Sequence, residues 1–170
     1  MKKTNAARIL DRLKINYELV EYDVDPEDLS AIHLAQTSGL PLEKVYKTLV
    51  LQGDRNGIFV CVIPGGKEID LKNAAVVSSN KKAAMIKMKE LEPLTGYIRG
   101  GCSPIGMKKN YPVFIDESAF AMPFIYISAG MRGLQIKIKP NDLISAVKAT
   151  KADLTADAAS SSEGVMDDYQ

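Results

Sequence analysis

Histidine and cysteine are nearly missing from this sequence. Its 170 residues hold one histidine, His33, and two cysteines, Cys61 and Cys102. No spaced set of these residues could hold zinc, and neither a metal nor a cofactor is expected. The same scarcity limits nucleophilic catalysis, because a catalytic cysteine wants a neighbouring base, usually histidine, and His33 is the one available. Cys102 acting with His33 is therefore the weakest of three functional hypotheses, and Cys61, midway along IFVCVIP, reads as core. Long apolar runs are absent too. Nothing approaches the roughly 18 residues that a membrane span requires. The opening MKKTNAARILDRLK is charged and amphipathic, with no signal-peptide core or cleavage site, so a cytoplasmic protein with no membrane partner is expected. Nucleotide fingerprints are also missing: GGCSPIG is glycine-rich but lacks the Gly-Lys-Ser/Thr ending of a phosphate loop.

What is present is ordinary globular material, 46% hydrophobic and 25% charged. That length supports one well-buried core and is short for two. The formal charge of +1 hides an asymmetry: Asp153, Asp157, Glu163, Asp167 and Asp168 fall in residues 152–170, which contain no Lys or Arg, leaving +6 on residues 1–151. A modestly basic body is compatible with a polyanion such as RNA, without the charge density of a dedicated nucleic-acid binder. The small, polar, acidic TADAASSSEGVMDDYQ lacks the apolar spacing needed to offset ordering entropy. The expected organisation is one domain over 1–152 and a flexible acidic tail over 153–170.

Hydrophobic periodicity predicts a helix over 4–14 and a strand in YELVEYDV. A helix capped by Ser30 and stopped by Gly39 follows, then a helical turn in LPLEKVY. KTLVLQ and GIFVCVIP, joined by Gly53-Asp54-Arg55-Asn56-Gly57, read as an antiparallel hairpin. Further helices are expected from Asp70, in KELEPLTG and over 141–150, with strands in GYIRGG, YPVFIDE, PFIYISAG and LQIKIKP; KAAMIKM is ambiguous. About seven strands interleaved irregularly with five helical segments suggest an α+β fold, a mixed sheet curled or closed into a barrel with helices outside.

Three stretches could carry chemistry. In VYKTLVLQGD, Lys47 stands at the start of an apolar run, where an ammonium is costly unless it snorkels or meets an anion. In TGYIRGGCSPIGMKK, Gly100 and Gly101 permit positive φ and uncover backbone N–H groups while Pro104 stiffens the turn, so the loop either presents amide donors to a carbonyl or is simply a turn. In YISAGMRGLQI, Ser128, Ala129 and Gly130 leave room for a ligand at a strand end, and Arg132 could meet a phosphate or carboxylate; a hairpin with a solvated arginine is the alternative.

VYKTLVL, DLKNAA, TGYIRGGCSPIG and YISAGMRGL, in this order and spacing, resemble the YbaK/EbsC family of aminoacyl-tRNA deacylases, relatives of the editing domain of bacterial prolyl-tRNA synthetases. The resemblance spans residues 4 to about 150. It implies a mixed β-barrel wrapped by helices, with a pocket for the 3′ aminoacyl-adenosine of a mischarged tRNA. It makes Lys47 the residue most critical to deacylation, places Gly100 to Pro104, Gly101 included, on the family's G-x-x-x-P loop around the aminoacyl carbonyl, and sets Tyr22, Thr48, Ser128, Gly130 and Gln135 around the substrate. Gln135 departs from the family's pattern, since the cysteine-specific members carry aspartate in RGLD where this chain has RGLQ.

The resemblance implies an enzyme that removes the amino acid from mischarged tRNA, foremost cysteinyl-tRNA(Pro), without a nucleophile of its own. The substrate's thiol or a tRNA hydroxyl assists, and the protein positions the ester. Prolyl-tRNA synthetase is a candidate partner. The second hypothesis, from a different class, is a non-catalytic module that binds tRNA ends or the synthetase through the same pocket.

Overall fold

A computed structural model describes residues 3–156. Thr4 starts the first helix, its Oγ1 accepting from the Ala7 amide at 3.2 Å; α1 (Asn5–Arg12) buries Ala6, Ala7 and Leu10. Strand β1 (Glu18–Glu21) follows, then α2 (Ala31–Ser38), which Ser30 caps and Gly39 ends in a left-handed conformation. After a 3-10 turn at Leu42–Lys44 come β2 (Tyr46–Gly53) and β3 (Gly57–Pro64). The chain continues through β4 (Glu68–Ile69), α3 (Leu71–Val77, capped by Asp70), β5 (Ala83–Met85) and α4 (Met88–Thr95). Next are β6 (Val113–Asp116), a 3-10 segment at Glu117–Ala121, β7 (Ile125–Ser128) and β8 (Leu134–Ile138). Helix α5 (Pro140–Val147), β9 (Thr150–Ala152) and β10 (Thr155–Ala156) complete the described chain.

The expected α+β class holds, but the barrel does not close. The strands form a five-stranded mixed sheet in the order β5-β2-β3-β6-β9, a three-stranded antiparallel sheet β1-β8-β7, and the pair β10-β4. Closure fails at β2. Its outer edge pairs with β5 over Leu51–Gly53, and a lone parallel bridge from Val45 to Tyr126 reaches the three-stranded sheet. Between those contacts, Tyr46 to Leu49 present an edge that no strand pairs among the described residues, and a cavity opens there.

Alternation along β2 and β3 feeds two cores. Tyr46, Val50, Val60 and Val62, with Ile115 of the same sheet, pack with Ile125, Ile127, Ile136 and Ile138 of the three-stranded sheet. Leu49, Leu51, Phe59, Cys61 and Ile63 pack on the other face with Ala74 of α3 and with Leu154. A sheet covered on both faces explains why KTLVLQ and IFVCVIP read as nearly unbroken apolar runs.

Three local expectations are corrected. GYIRGG is a turn rather than a strand, because Gly100 takes φ 84° and the Gly101 amide bonds back to the Ile98 carbonyl at 2.9 Å. The last helix stops at Val147, with Lys148 in the left-handed region, so Thr150 opens β9 instead of ending a helix. Residues 153–156, read as the start of a tail, belong to the body: Leu154 is fully buried and Thr155 and Ala156 pair with Ile69 and Glu68. The rest of that tail lies outside the described residues.

Candidate functional site

The unpaired edge of β2 borders a cavity of about 370 Å³. Lys47, Thr48 and Leu49 form one side. The segment from Glu27 to Ala31 ahead of α2, the turn carrying Arg99, Gly100 and Cys102, and the facing ends of β7 and β8 form the others. Ser128 and Gln135 are direct partners across β7 and β8, so their side chains leave the sheet on the same face.

The polar lining is deeply buried. Thr48 and Ser128 are each 8% exposed and Gln135 only 3%. Ser128 Oγ accepts from the Gly130 amide at 3.1 Å. Thr48 Oγ1 and Gln135 Oε1 have no hydrogen-bond partner among the described residues. A buried oxygen left unpaired costs free energy, typically about 1–3 kcal/mol, so two of them in one cavity mark a place where a ligand completes the bonding.

Lys47 carries the charge. Strand alternation puts it on the face of Leu49 and Leu51, at the start of the apolar run. Burial pulls its ammonium below the usual lysine range, and the field of Glu68 partly opposes that pull. The ion pairs among the described residues are Lys3–Asp11, His33–Asp28 and Lys137–Glu18, none of which involves it. A partly desolvated cation without an ion-pair partner at a cavity edge is poised for an anion or a polarised oxygen.

Two glycine-containing loops meet at the turn that borders the cavity. Arg132 Nε donates to the Arg99 carbonyl at 2.8 Å. A Cβ on Gly101 would stand 3.2 Å from the backbone of Met131 and Arg132, and one on Gly100 would meet Arg132 and Leu29. Bare backbone is what allows this approach.

Lys47, Thr48, Gly100, Ser128 and Gln135 thus border one cavity, whereas four other candidates do not. Tyr22 and His33 line an adjoining hollow, which shares Asp28, Leu29, Ser30, Leu34 and Gly100 with the Lys47 cavity. Gly101 shapes the loop from behind, and Gly130, at φ 102°, packs against the Tyr97 ring. Pro104 lines a separate cavity of about 580 Å³ with Ile9, Tyr111 and Val147. Sequence reasoning missed Arg99, Glu27 and Asp28; a charge immediately before Gly-Gly was the available signal for Arg99.

Cys102 also lines the cavity, but burial pushes its thiol up to about 12. At neutral pH only about one molecule in 10⁵ would hold the thiolate, the form that attacks. Cys61 is likewise pushed up to about 12 inside the second core. His33 sits on α2 with Nδ1 3.8 Å from the Asp28 carboxylate.

Residues 25–146 match the aminoacyl-tRNA editing domain family. The chain belongs to that family. This editing domain is 44% identical, over 91% of its own length and 94% of the relative's, to the Enterococcus faecalis protein named "Putative Cys-tRNA(Pro)/Cys-tRNA(Cys) deacylase EbsC". A Bacillus subtilis relative, the uncharacterized protein YwhH, is 28% identical over 64% of this chain and 69% of that one. Among solved structures, a "putative trans-editing enzyme for prolyl tRNA synthetase" superposes with TM-score 0.77 at 23% identity, covering 91% of this chain and 99% of that one. The hypothetical protein APE2540 superposes with TM-score 0.80 at 21% identity, covering 88% and 97%. These structures share the fold. Family membership sets the general activity as aminoacyl-tRNA editing, with tRNA as the substrate.

Proposed function

We propose that this editing domain hydrolyses the ester between tRNA and a wrongly attached amino acid, with cysteinyl-tRNA(Pro) as its principal substrate. The observation that carries the reading is the pairing, in one cavity, of a partly desolvated Lys47 with the unpartnered oxygens of Thr48 and Gln135. Lys47 holds the terminal phosphate or ribose of the tRNA end as a flexible point charge. The backbone of Gly100 faces the aminoacyl carbonyl, with Gly101 shaping the turn behind it. Thr48, Ser128 and Gln135 surround the amino acid, and Tyr22 lies in the adjoining hollow.

The chemistry is positioning. The acyl carbon–oxygen bond breaks and the ribose oxygen leaves with a proton. Either the substrate's thiol attacks the acyl carbon and water then opens the resulting thiolactone, or water attacks the acyl carbon directly with the neighbouring ribose hydroxyl orienting it. Holding the two ends of one molecule in reacting geometry supplies a high effective concentration without an enzyme nucleophile. That fits a site whose own thiol stays protonated. Selection of the tRNA body we assign to prolyl-tRNA synthetase as a partner in the cytoplasm.

The test is loss of labelled amino acid from cysteinyl-, alanyl- and prolyl-tRNA(Pro). Wild type should strip the cysteinyl species selectively, and Lys47→Ala should lower that rate by about 10²–10³-fold, the usual cost of removing one electrostatic contact to a reacting ester. Binding of all three species without ester loss would instead make the domain a non-catalytic module for tRNA ends.

A further inference from the structure

Gln135 and Thr48 reach the cavity from different sheets, yet each delivers an oxygen that lacks a partner among the described residues. An amide carbonyl oxygen can only accept, and a hydroxyl oxygen can accept while its own hydrogen turns elsewhere. Such a pair calls for a ligand group with more than one donor. An aminoacyl ester has one group of that kind beside its carbonyl, the α-ammonium, with three N–H donors and a positive charge that charge-assisted bonds stabilise best.

The charges around the cavity favour the same orientation. Glu27 and Asp28 line it and add negative potential, while Lys47 and Arg99 supply the positive potential suited to the tRNA phosphate. Lys47 and Thr48 are neighbours in β2, and strand alternation sends their side chains to opposite faces. The cationic contact and the accepting contact are thereby kept apart, matching a substrate that is cationic at the amine and anionic at the phosphate.

We propose that Thr48 and Gln135 form a subsite for the free α-ammonium of the aminoacyl group, so that the domain rejects esters whose amine is acylated, including peptidyl esters. Acylation removes the charge and replaces donors with a carbonyl that faces the oxygens of Gln135 and Thr48. The inference rests on the deacylase reading for its biological meaning, but it concerns binding and is tested separately from turnover.

The probes are two stable amides, 3′-(cysteinylamino)-3′-deoxyadenosine and its N-acetyl derivative, titrated into the full chain by calorimetry at neutral pH. Wild type should bind the free amine more tightly by about 10-fold to 100-fold, the range for a lost charge-assisted hydrogen bond. Gln135→Leu and Thr48→Val should each weaken the free-amine probe alone and shrink that ratio. Gln135→Glu, which keeps an acceptor, should preserve or enlarge it. Equal binding of the two probes by wild type, binding of neither, or an unchanged ratio in folded Gln135→Leu would each overturn the subsite. Discrimination by wild type without any hydrolysis of cysteinyl-tRNA would uphold the subsite and sink the deacylase reading alone.

Discussion

The hydroxyls of Tyr46 and Ser118 lie 2.7 Å apart, joining the strand that carries Lys47 to the segment after β6. Ser118 in turn bonds Asp116, whose other carboxylate oxygen accepts from the Leu154 amide at 2.9 Å. This chain ties β2 and β6 to the residue just before β10. Asp116→Ala should therefore cost about 2–4 kcal/mol, because it strands two amide donors and a hydroxyl, whereas Tyr46→Phe should cost about 1 kcal/mol. Urea unfolding followed by circular dichroism checks both, and equal effects would show that the carboxylate is not the hub.

Gly101 gives a prediction about the loop. Adding a methyl group there drives it against the Met131 and Arg132 backbone at 3.2 Å, and neither backbone segment can rotate away as a side chain could. Gly101→Ala should destabilise the fold by about 1–3 kcal/mol and lower deacylation more than that loss of folded protein accounts for. Gly100→Ala meets the strain of φ 84° as well, on the order of 1–2 kcal/mol. Activity measured at a temperature where each variant remains fully folded separates the two effects.

Cys102 should prove dispensable. Its thiol, raised by burial to about 12, is neither a nucleophile nor a base at neutral pH. Cys102→Ala should retain cysteinyl-tRNA deacylation within about threefold, while alkylation of the wild-type thiol by iodoacetamide should be slow relative to a free thiol. A loss beyond 100-fold in a folded variant would restore the cysteine-hydrolase hypothesis.

The fold was legible where local rules decide it. Thr4, Ser30 and Asp70 cap helices as their types require, and the β2–β3 hairpin sits in the register its glycines suggest, Gly53 opposite Gly57. Closure of the barrel was not legible, because it depends on which edge of β2 finds a partner, a long-range choice that periodicity does not encode. Likewise RGG resembles a strand end by composition, yet the fit of Gly101 against the Arg132 backbone turns it. In the site, Lys47 stood out as a charge in an apolar run. Ser128 was marked by the small residues beside it, and Thr48 and Gln135 only by the family resemblance. The segments of these two carry no physical signal, because their meeting depends on two sheets facing each other across the cavity.

Lys47 offers the sharpest separation of stability from function. Its ammonium is partly stripped of water and has no ion-pair partner among the described residues, so the folded state penalises the charged form. With the folded pKa below the unfolded value, the unfolded chain binds more protons between the two, and stability rises with pH across that interval. The penalty is thus full below the folded pKa and is relieved as pH climbs towards the ordinary lysine value of 10.5. Lys47→Met, which keeps the stem and drops the charge, should be more stable than wild type by about 0.5–2 kcal/mol at pH 7 while losing nearly all deacylase activity. Its advantage should shrink as pH rises through the lowered folded pKa towards 10.5 in matched urea titrations. A variant less stable than wild type at pH 7 would mean that the ammonium is satisfied in the free protein and is not held in reserve for the substrate.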